Sequence, residues 1–218
     1  MKTDPRTFIL ANTEQVSPPH VPEIQLYLAT EAHDLWLKTE DELQEIGLPP
    51  PFWAFAWAGG QGLARYILDN PETVRGKSVV DFASGSGLVG IAAVKAGAAR
   101  VLCADIDPWA KTAVALNASL NQVEMAFTPE NLIGGARRAD VYLAGDVFYD
   151  SAFASLLTPW FASLSAAGAV VLVGDPGRAY CPKDRLTELA TYRVPVSRAL
   201  EDNDVKRTTV WSFQSDLT

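Results

Sequence analysis

One stretch of the chain decides its fold, and it reads Val79-Val80-Asp81-Phe82-Ala83-Ser84-Gly85-Ser86-Gly87-Leu88-Val89-Gly90. Its apolar, β-branched start predicts a buried strand, its small residues predict a tight turn, and the apolar spacing from Leu88 predicts a helix. A strand, a glycine-containing turn and a helix form the entry to a nucleotide-binding α/β unit. Gly85 and Gly87 allow the backbone to approach a bulky ligand, because neither carries a Cβ atom.

A second acidic residue follows at the end of the next apolar run. Asp105 comes directly after Val101-Leu102-Cys103-Ala104. A carboxylate at the tip of the second strand of such a unit can accept hydrogen bonds from both hydroxyls of a ribose. We therefore predict that Asp105 binds a ribose, and we include Ile106 beside it among the ligand contacts.

The position of Asp81 separates two classes of nucleotide. In dinucleotide-binding proteins the first glycine follows the strand directly, whereas here an acid closes the strand and Gly85 comes four positions later. An anion at this point repels a pyrophosphate and suits a ligand that carries an ammonium and a sulfonium. The layout Asp-x-x-x-Gly-x-Gly resembles motif I of the S-adenosylmethionine-dependent methyltransferases. A nicotinamide-dependent oxidoreductase is the alternative, because Gly85-x-Gly87-x-x-Gly90 also fits a dinucleotide site.

Composition narrows the classes of protein. The chain has 218 residues, of which 48% are hydrophobic and 20% charged, which predicts one domain over residues 1–218. A net charge of −8 disfavours nucleic acid as a partner. Two cysteines and two histidines predict neither a disulfide framework nor a metal site. We expect a cytoplasmic enzyme without membrane association, since no apolar run has membrane-spanning length and the amino terminus lacks a signal-type apolar core.

An aromatic segment precedes a cluster of glycines at residues 52–62. Trp57 is predicted to form a wall of the ligand site, because an aromatic face attracts a sulfonium or an ammonium. Phe52, Trp53 and Phe55 are assigned to packing or to the lining of a substrate channel.

The order of predicted elements indicates a Rossmann-like α/β fold, with a seven-stranded, mostly parallel sheet and a C-terminal antiparallel β-hairpin. We predict a loose arm over residues 1–21, a helical extension with the aromatic segment over 22–70, and the core over 76–218. Within these, we expect a helix at 22–46, a third core strand at 123–127, a short helix at 182–190, and hairpin strands at 193–200 and 205–213.

Ligands of open α/β sheets bind at the carboxyl ends of the strands. Four acids end predicted strands and are expected to share that edge: Asp81, Asp105, Asp146 and Asp175. The loop after the third strand is expected to pass the adenine, with Leu132 packed on the ring and Asn131 hydrogen-bonded near it. For Asp146 the alternative to a functional role is the N-cap of the helix that follows.

Four further motifs carry a family resemblance: Phe52-Trp53-Ala54, Trp57-x-Gly59-Gly60-Gln61, Asp146-x-x-Tyr149-Asp150 and Gly174-Asp175-Pro176-Gly177-Arg178. They resemble the electron transfer flavoprotein beta subunit lysine methyltransferase family, over residues 22–213. The resemblance implies methyl transfer from S-adenosylmethionine, with S-adenosylhomocysteine as product, to lysines of that flavoprotein subunit.

The resemblance also implies roles for particular residues. It makes Trp57, Gly85, Asp105, Leu132 and Gly145 contacts of the methyl donor. It makes Asp146 and Tyr149 the motif on the lysine side. Asp81, Ala83, Gly87, Ile106 and Asn131 complete the predicted donor site. Two residues depart from the family pattern, since Ala83 stands where a glycine is usual and Ala58 where a proline is common.

A lysine nucleophile presents a protonation problem. With a pKa of about 10.4, deprotonation at pH 7 costs about 4.6 kcal/mol. An apolar cleft lowers this cost, but the anion of Asp146 raises it. We therefore assign Asp146 to docking and orienting the amine, with water as the proton acceptor, and Tyr149 to fixing the amine or lining the methyl path.

Other functions stay open at this point. The chain is expected to be a monomer that methylates the flavoprotein subunit. The alternatives are a methyltransferase acting on another protein, one acting on a nucleobase amine, and a binding protein that holds S-adenosylmethionine without chemistry. Asp146-Val147-Phe148-Tyr149 lies where nucleobase enzymes carry an Asp-Pro-Pro-Tyr motif, although both prolines are missing.

Overall fold

A seven-stranded sheet lies at the centre of the structure, a computed structural model that describes residues 4–30, 50–196 and 204–214. The helices are α1 (Pro5–Ala11), α2 (Ala58–Asp69), α3 (Leu88–Lys95), α4 (Pro108–Leu120) and α5 (Ser151–Ala166). The strands are β1 (Glu14–Val16), β2 (Leu26–Leu28), β3 (Ser78–Phe82), β4 (Arg100–Ala104), β5 (Ala126–Thr128), β6 (Val141–Gly145), β7 (Val170–Asp175), β8 (Leu186–Pro195) and β9 (Val205–Phe213).

The strand order is β5-β4-β3-β6-β7-β9-β8. The first five strands of this order are parallel, and β9 and β8 are antiparallel, so the predicted architecture is confirmed. The chain leaves β3 toward β4 on one side and returns to β6 on the other. This reversal creates a crevice at the carboxyl ends of β3 and β6, where ligands of open α/β sheets bind.

The central strand β3 divides the apolar core into two layers. All five of its residues are buried, and successive side chains point to opposite faces. Val79 packs with Leu143 and Ile91 on one face, whereas Val80 packs with Tyr142 and Phe161 on the other. A continuous apolar strand of this kind is typical of a parallel sheet covered on both sides.

Three helices begin with aspartate caps, namely Asp4 at α1, Asp107 at α4 and Asp150 at α5. The side chain of Asp107 accepts a hydrogen bond from the Trp109 amide at 2.9 Å, and Pro108 occupies the first helical position of α4, as predicted. Asp150 accepts from the Phe153 amide at 2.8 Å and caps α5. The N-cap alternative for Asp146 is therefore wrong for this helix.

The predictions of a loose arm over residues 1–21 and of a helix from residue 22 are wrong in the part that the structure describes. Residues 5–11 form α1, whose Phe8 ring lies 5.1 Å from the Trp109 ring of α4. Residues 26–28, expected to be helical, form β2 and pair with β1. Burial alternates at Ile24, Leu26 and Leu28, which is the period of a strand and not of a helix. The rest of the predicted helix, through residue 46, lies outside the described residues.

Two boundaries toward the carboxyl end also differ. The third core strand begins at Ala126 and ends at Thr128, a little later than predicted. The expected helix at 182–190 is a single 3₁₀ turn, Lys183–Arg185, followed by the ten-residue strand β8. β8 is an edge strand with mostly exposed residues and an irregularity between Glu188 and Ala190, so it lacks the apolar alternation that predicts a strand. Residues 197–203, which include the end of the first predicted hairpin strand and most of the connection to the second, lie outside the described residues.

Helix α2 begins in direct contact with the ends of β6 and β7. A Cβ atom at Gly59 would overlap the carbonyl oxygen of Gly174, and one at Gly145 would lie 2.7 Å from the Cα atom of Gly60. Glycine at these positions lets the backbone of the helix touch the backbone of the sheet. Gly145, which the family resemblance makes a contact of the methyl donor, is thus required by the packing of helix on sheet.

Two adjacent glycines of α2 provide a matched test. Gly59→Ala is expected to lower the free energy of unfolding by about 3 kcal/mol, because the methyl group would overlap Gly174 and lie close to Asp146. Gly60→Ala meets atoms no nearer than 3.9 Å and is expected to be neutral or stabilising by up to about 1 kcal/mol. Urea unfolding of both variants measures this difference, and equal stabilities would contradict the packing.

Candidate active site

The glycine turn takes left-handed backbone geometry at three positions. The φ angles are 52° at Ala83, 49° at Gly85 and 80° at Gly87. The amide of Gly87 donates to the carbonyl of Ser84 at 2.7 Å, and Gly87 is the N-cap of α3. Ala83 keeps the loop geometry, but a residue with a Cβ atom costs roughly 1–2 kcal/mol in this region. Its methyl group is exposed, so the departure from glycine adds a small apolar surface to the crevice.

Asp105 joins the glycine turn to the tip of β4. Its carboxylate accepts from the Gly85 amide at 2.8 Å and from the Asp107 amide at 2.9 Å. Burial raises the pKa of Asp105, whereas these two amides lower it. The neighbouring Ile106 side chain is 70% exposed, which is unusual for so apolar a residue. The structure thus brings a hydrogen-bond acceptor and an apolar surface together at the carboxyl end of β4.

Asp81 is almost fully buried beneath the turn. Its carboxylate accepts from the Gly90 amide at 2.8 Å, and only 2% of the residue is exposed. Burial and, to a smaller extent, the nearby charge of Asp105 raise the pKa of Asp81 to about 8, against the lowering effect of the Gly90 amide. A cation that approached the turn would stabilise the ionised form.

The loop after β5 contains the two residues predicted to contact the adenine, and one is buried whereas the other is exposed. Leu132 is 4% exposed and packs in the core with Phe82 and Tyr142. Asn131 is exposed, and its side-chain oxygen accepts from the Ile133 amide at 3.0 Å. The amide group of Asn131 therefore stabilises its own loop, and the loop lies beside β4, where Asp105 also stands.

Three aromatic residues form a partly exposed group that we call the aromatic cluster: Phe52, Trp57 and Tyr149. The Phe52 ring lies 6.0 Å from the Trp57 ring and 5.7 Å from the Tyr149 ring. The Trp57 indole donates to the Phe52 carbonyl at 3.1 Å. Burial raises the pKa of Tyr149, so its phenol stays protonated near neutral pH and can donate a hydrogen bond.

Asp146 lies between helix α2 and the loop after β7. One carboxylate oxygen accepts from the Gly59 amide, and the other accepts from the Arg178 guanidinium at 2.7 Å. Its own amide donates to the Gly174 carbonyl at 2.9 Å, its φ angle is 60°, and it is 7% exposed. Burial raises the pKa of Asp146 to about 6, against the opposing effect of the Arg178 charge. Asp146 thus caps α2 from another part of the chain.

Sequence reasoning missed two residues of this region. Arg178 was part of a quoted motif, but nothing in its spacing showed that it pairs with Asp146. Asn117 is fully buried in α4, donates to the Ser86 carbonyl at 2.8 Å, and accepts from the Tyr27 amide at 2.8 Å. It ties the glycine turn to β2. A polar residue on the apolar face of a helix was the only available signal for it.

Over residues 4–30, 50–196 and 204–214, we find no group of three or more potential metal ligands. Within the same ranges, no helix is both long and apolar enough to cross a lipid bilayer.

Solved structures with the same architecture identify the fold. A ribosomal protein L11 methylase from Lactobacillus delbrueckii superimposes with a TM-score of 0.51 at 21% identity, covering 73% of this chain and 81% of that one. A magnesium protoporphyrin IX methyltransferase from Synechocystis, solved with bound SAM, gives 0.51 at 12% identity, covering 71% and 78%. The sheet order and the strand-end crevice place this chain among proteins with the class I methyltransferase fold.

Relatives of known name define the family. The electron transfer flavoprotein beta subunit lysine methyltransferase of Xenopus laevis is 43% identical over 97% of this chain and 88% of that relative. The human protein of the same name is 37% identical over 96% and 82%. A family model described as ribosomal protein L11 methyltransferase (PrmA) matches residues 65–149. This chain belongs to the electron transfer flavoprotein beta subunit lysine methyltransferase family.

The buried carboxyl of Asp81 predicts a dependence of stability on pH. Its folded pKa of about 8 lies above the unfolded value of about 3.9, so the folded state holds a proton that the unfolded state lacks between these values. Stability from this group is therefore lost as pH rises toward 8. Asp81→Asn keeps an acceptor for Gly90 but carries no charge. Its free energy of unfolding should fall less between pH 5 and 8, by an amount on the order of 3–4 kcal/mol.

Urea unfolding at several pH values measures this effect. Asp184→Asn, at an exposed carboxyl, is the control and should follow the original protein. Parallel curves for Asp81→Asn and the original protein would show that the carboxyl is ionised in the folded state throughout.

Proposed function

We propose that this protein transfers methyl groups from S-adenosylmethionine to lysine side chains of the electron transfer flavoprotein beta subunit. The observation that carries the proposal is the similarity of 37–43% identity along almost the whole chain to relatives named for this activity. The crevice described above supplies suitable chemistry for a cationic donor and for an amine.

The residues at β3 and β4 fit the methyl donor. We infer that Asp105 accepts from the ribose hydroxyls and that Ile106 covers the adenine, because a carboxylate and an exposed apolar side chain stand side by side there. The loop containing Asn131 and Leu132 would border the same ring. When bound, the donor supplies a methyl carbon that its sulfonium activates toward displacement.

The amino-acid part of the donor is assigned to the glycine turn. Ala83, Gly85 and Gly87 would present backbone to it, and the positive charge of the donor would favour the ionised form of Asp81 beneath the turn. Gly145 ends β6 against the first turn of α2, and Trp57 directly precedes that helix. We infer that the Trp57 face borders the sulfonium, since an aromatic ring attracts a cation.

The aromatic cluster is assigned to the lysine. An apolar surface disfavours the ammonium form and so lowers the cost of about 4.6 kcal/mol that a free lysine pays at pH 7. The Tyr149 phenol would orient the amine, and water would accept its proton. Asp146 is bound by Gly59 and Arg178, so we revise its role from direct docking of the amine to fixing the geometry around it.

The remaining parts of the proposal concern the type of substrate, the oligomeric state and the cellular location. The net charge of −8 disfavours binding of nucleic acid, so we propose a protein lysine as the substrate and not a nucleobase amine. A monomeric state and a cytoplasmic location remain proposals, which gel filtration and fractionation of cells would test.

The ribose assignment makes a quantitative prediction. Asp105→Ala should weaken S-adenosylmethionine binding about tenfold or more, because hydrogen bonds to a charged group contribute roughly 1.5–3 kcal/mol. Asp105→Asn retains an acceptor and should show a smaller loss. Calorimetric titration measures both affinities. An Asp105→Ala variant that is folded and binds the donor normally would refute the ribose assignment.

The substrate assignment is tested with purified electron transfer flavoprotein. After incubation with S-adenosylmethionine, intact-mass measurement should show its beta subunit gaining whole methyl increments, which peptide mapping should place on lysines. Ribosomal protein L11 and an unrelated lysine-rich protein serve as comparison substrates. Methylation of L11 with an unmodified flavoprotein would move the activity to another protein. Donor binding without any methyl transfer would favour the non-catalytic alternative.

A further inference from the structure

We propose that Arg178 is a positioning residue for methyl transfer, whose guanidinium cancels the charge of Asp146 so that the carboxylate does not hold the incoming lysine as an ammonium. This inference rests on the proposed function and deepens it. It resolves the conflict noted from the sequence, in which an anion beside the amine opposes the deprotonation that the reaction needs.

The geometry leaves the Asp146 carboxylate little capacity for a second cation. One oxygen is bound by the Gly59 amide and the other by Arg178 at 2.7 Å, and only 6% of the side chain is exposed. The Arg178 side chain is 24% exposed, so it covers the carboxylate from the solvent side of the pair. A lysine ammonium would have to displace Arg178 before it could reach the same oxygens.

A second strand-end acid holds the loop that carries Arg178. Asp175 is 1% exposed, and one of its oxygens accepts from the Gly177 amide at 2.7 Å and the Arg178 amide at 2.8 Å. These bonds fix the backbone of Arg178 directly beside β7. The guanidinium is therefore preorganised toward Asp146. The motif Gly174-Asp175-Pro176-Gly177-Arg178 thus forms a loop that directs Arg178 to this carboxylate.

The charges around the pair come from three parts of the chain. Arg178 and Asp175 act on Asp146 from the end of β7, while α2 contributes the uncharged Gly59 amide. Lys183, beyond the same loop, acts on Asp175. On the side of Tyr149, the acting charges are Asp150 and Asp105. Removing Arg178 would thus leave carboxylates as the nearest charges to the amine.

The electrostatic consequence has a definite sign. An uncompensated carboxylate within about 4–6 Å raises the pKa of an amine by roughly one or more, so the neutral fraction at a fixed pH falls about tenfold. Loss of Asp146 alone has the opposite effect, because Arg178 then disfavours the ammonium. Loss of both charges should return the pKa of the amine close to its original value.

The test is the pH profile of single-turnover methyl transfer to purified electron transfer flavoprotein, with protein and S-adenosylmethionine saturating. Arg178→Met should be about tenfold slower at pH 7, and its midpoint should lie about one pH unit higher, so that alkaline pH largely restores its rate. Asp146→Asn should have a lower midpoint, and Asp146→Asn/Arg178→Met should return to the original one. Arg178→Lys keeps the charge and should keep the midpoint.

Controls separate a charge effect from misfolding. Arg193→Met removes an exposed cation from β8 and should leave the profile unchanged. Melting temperature and donor affinity are measured for every variant. If Arg178→Met does not fold, the lower midpoint of Asp146→Asn and the unchanged midpoint of Arg178→Lys still decide the question.

Three outcomes are decisive. The predicted shifts support the role of Arg178. An active original protein with an Arg178→Met rate that is lower by the same factor at every pH overturns that role alone, because a structural defect is independent of pH. An original protein that does not methylate the flavoprotein overturns the proposed function, and the inference with it.

Discussion

The contact between the start of helix α2 and the ends of strands β6 and β7 is the constraint on which the rest of the site depends. Gly59 touches Gly174 through backbone atoms, and the Asp146 carboxylate caps the helix at that point. Because no Cβ atom intervenes, the helix begins directly against the strand ends, with Trp57 as the residue before its first turn. The same contact buries Asp146, and burial is what makes its pairing with Arg178 energetically important.

The crevice has two halves with different electrostatics. On the side of β3 and β4, the glycine turn is backed by Asp81 and Asp105, two carboxyl groups whose pKa values burial raises. On the side of β6 and β7, the Asp146 carboxylate is already paired with a guanidinium, three residues before Tyr149 of the aromatic cluster. A positively charged donor suits the first half, and a neutral amine suits the second. This division is the physical basis of the proposed reaction.

The sequence predicted the sheet because its strands are continuous apolar runs that end in aspartates, as at Asp81 and Asp175. It predicted the glycine turn because few residues other than glycine take left-handed geometry easily. It predicted β8 only at its carboxyl end, from residue 193, because most of this exposed edge strand carries no apolar alternation. Nor did it predict the pairing of Arg178, because contacts between residues 32 positions apart depend on the folded chain. Family resemblance pointed to the correct motifs without showing what each side chain contacts.

The measurement that tests this account most directly is a crystal structure of the protein with S-adenosylhomocysteine and its flavoprotein substrate. The account predicts ribose hydroxyls on Asp105, the lysine amine beside Tyr149 within the aromatic cluster, and Asp146 still bound to Gly59 and Arg178. A lysine amine paired with Asp146, with Arg178 displaced, would contradict the account. A donor bound away from the glycine turn would contradict it as well.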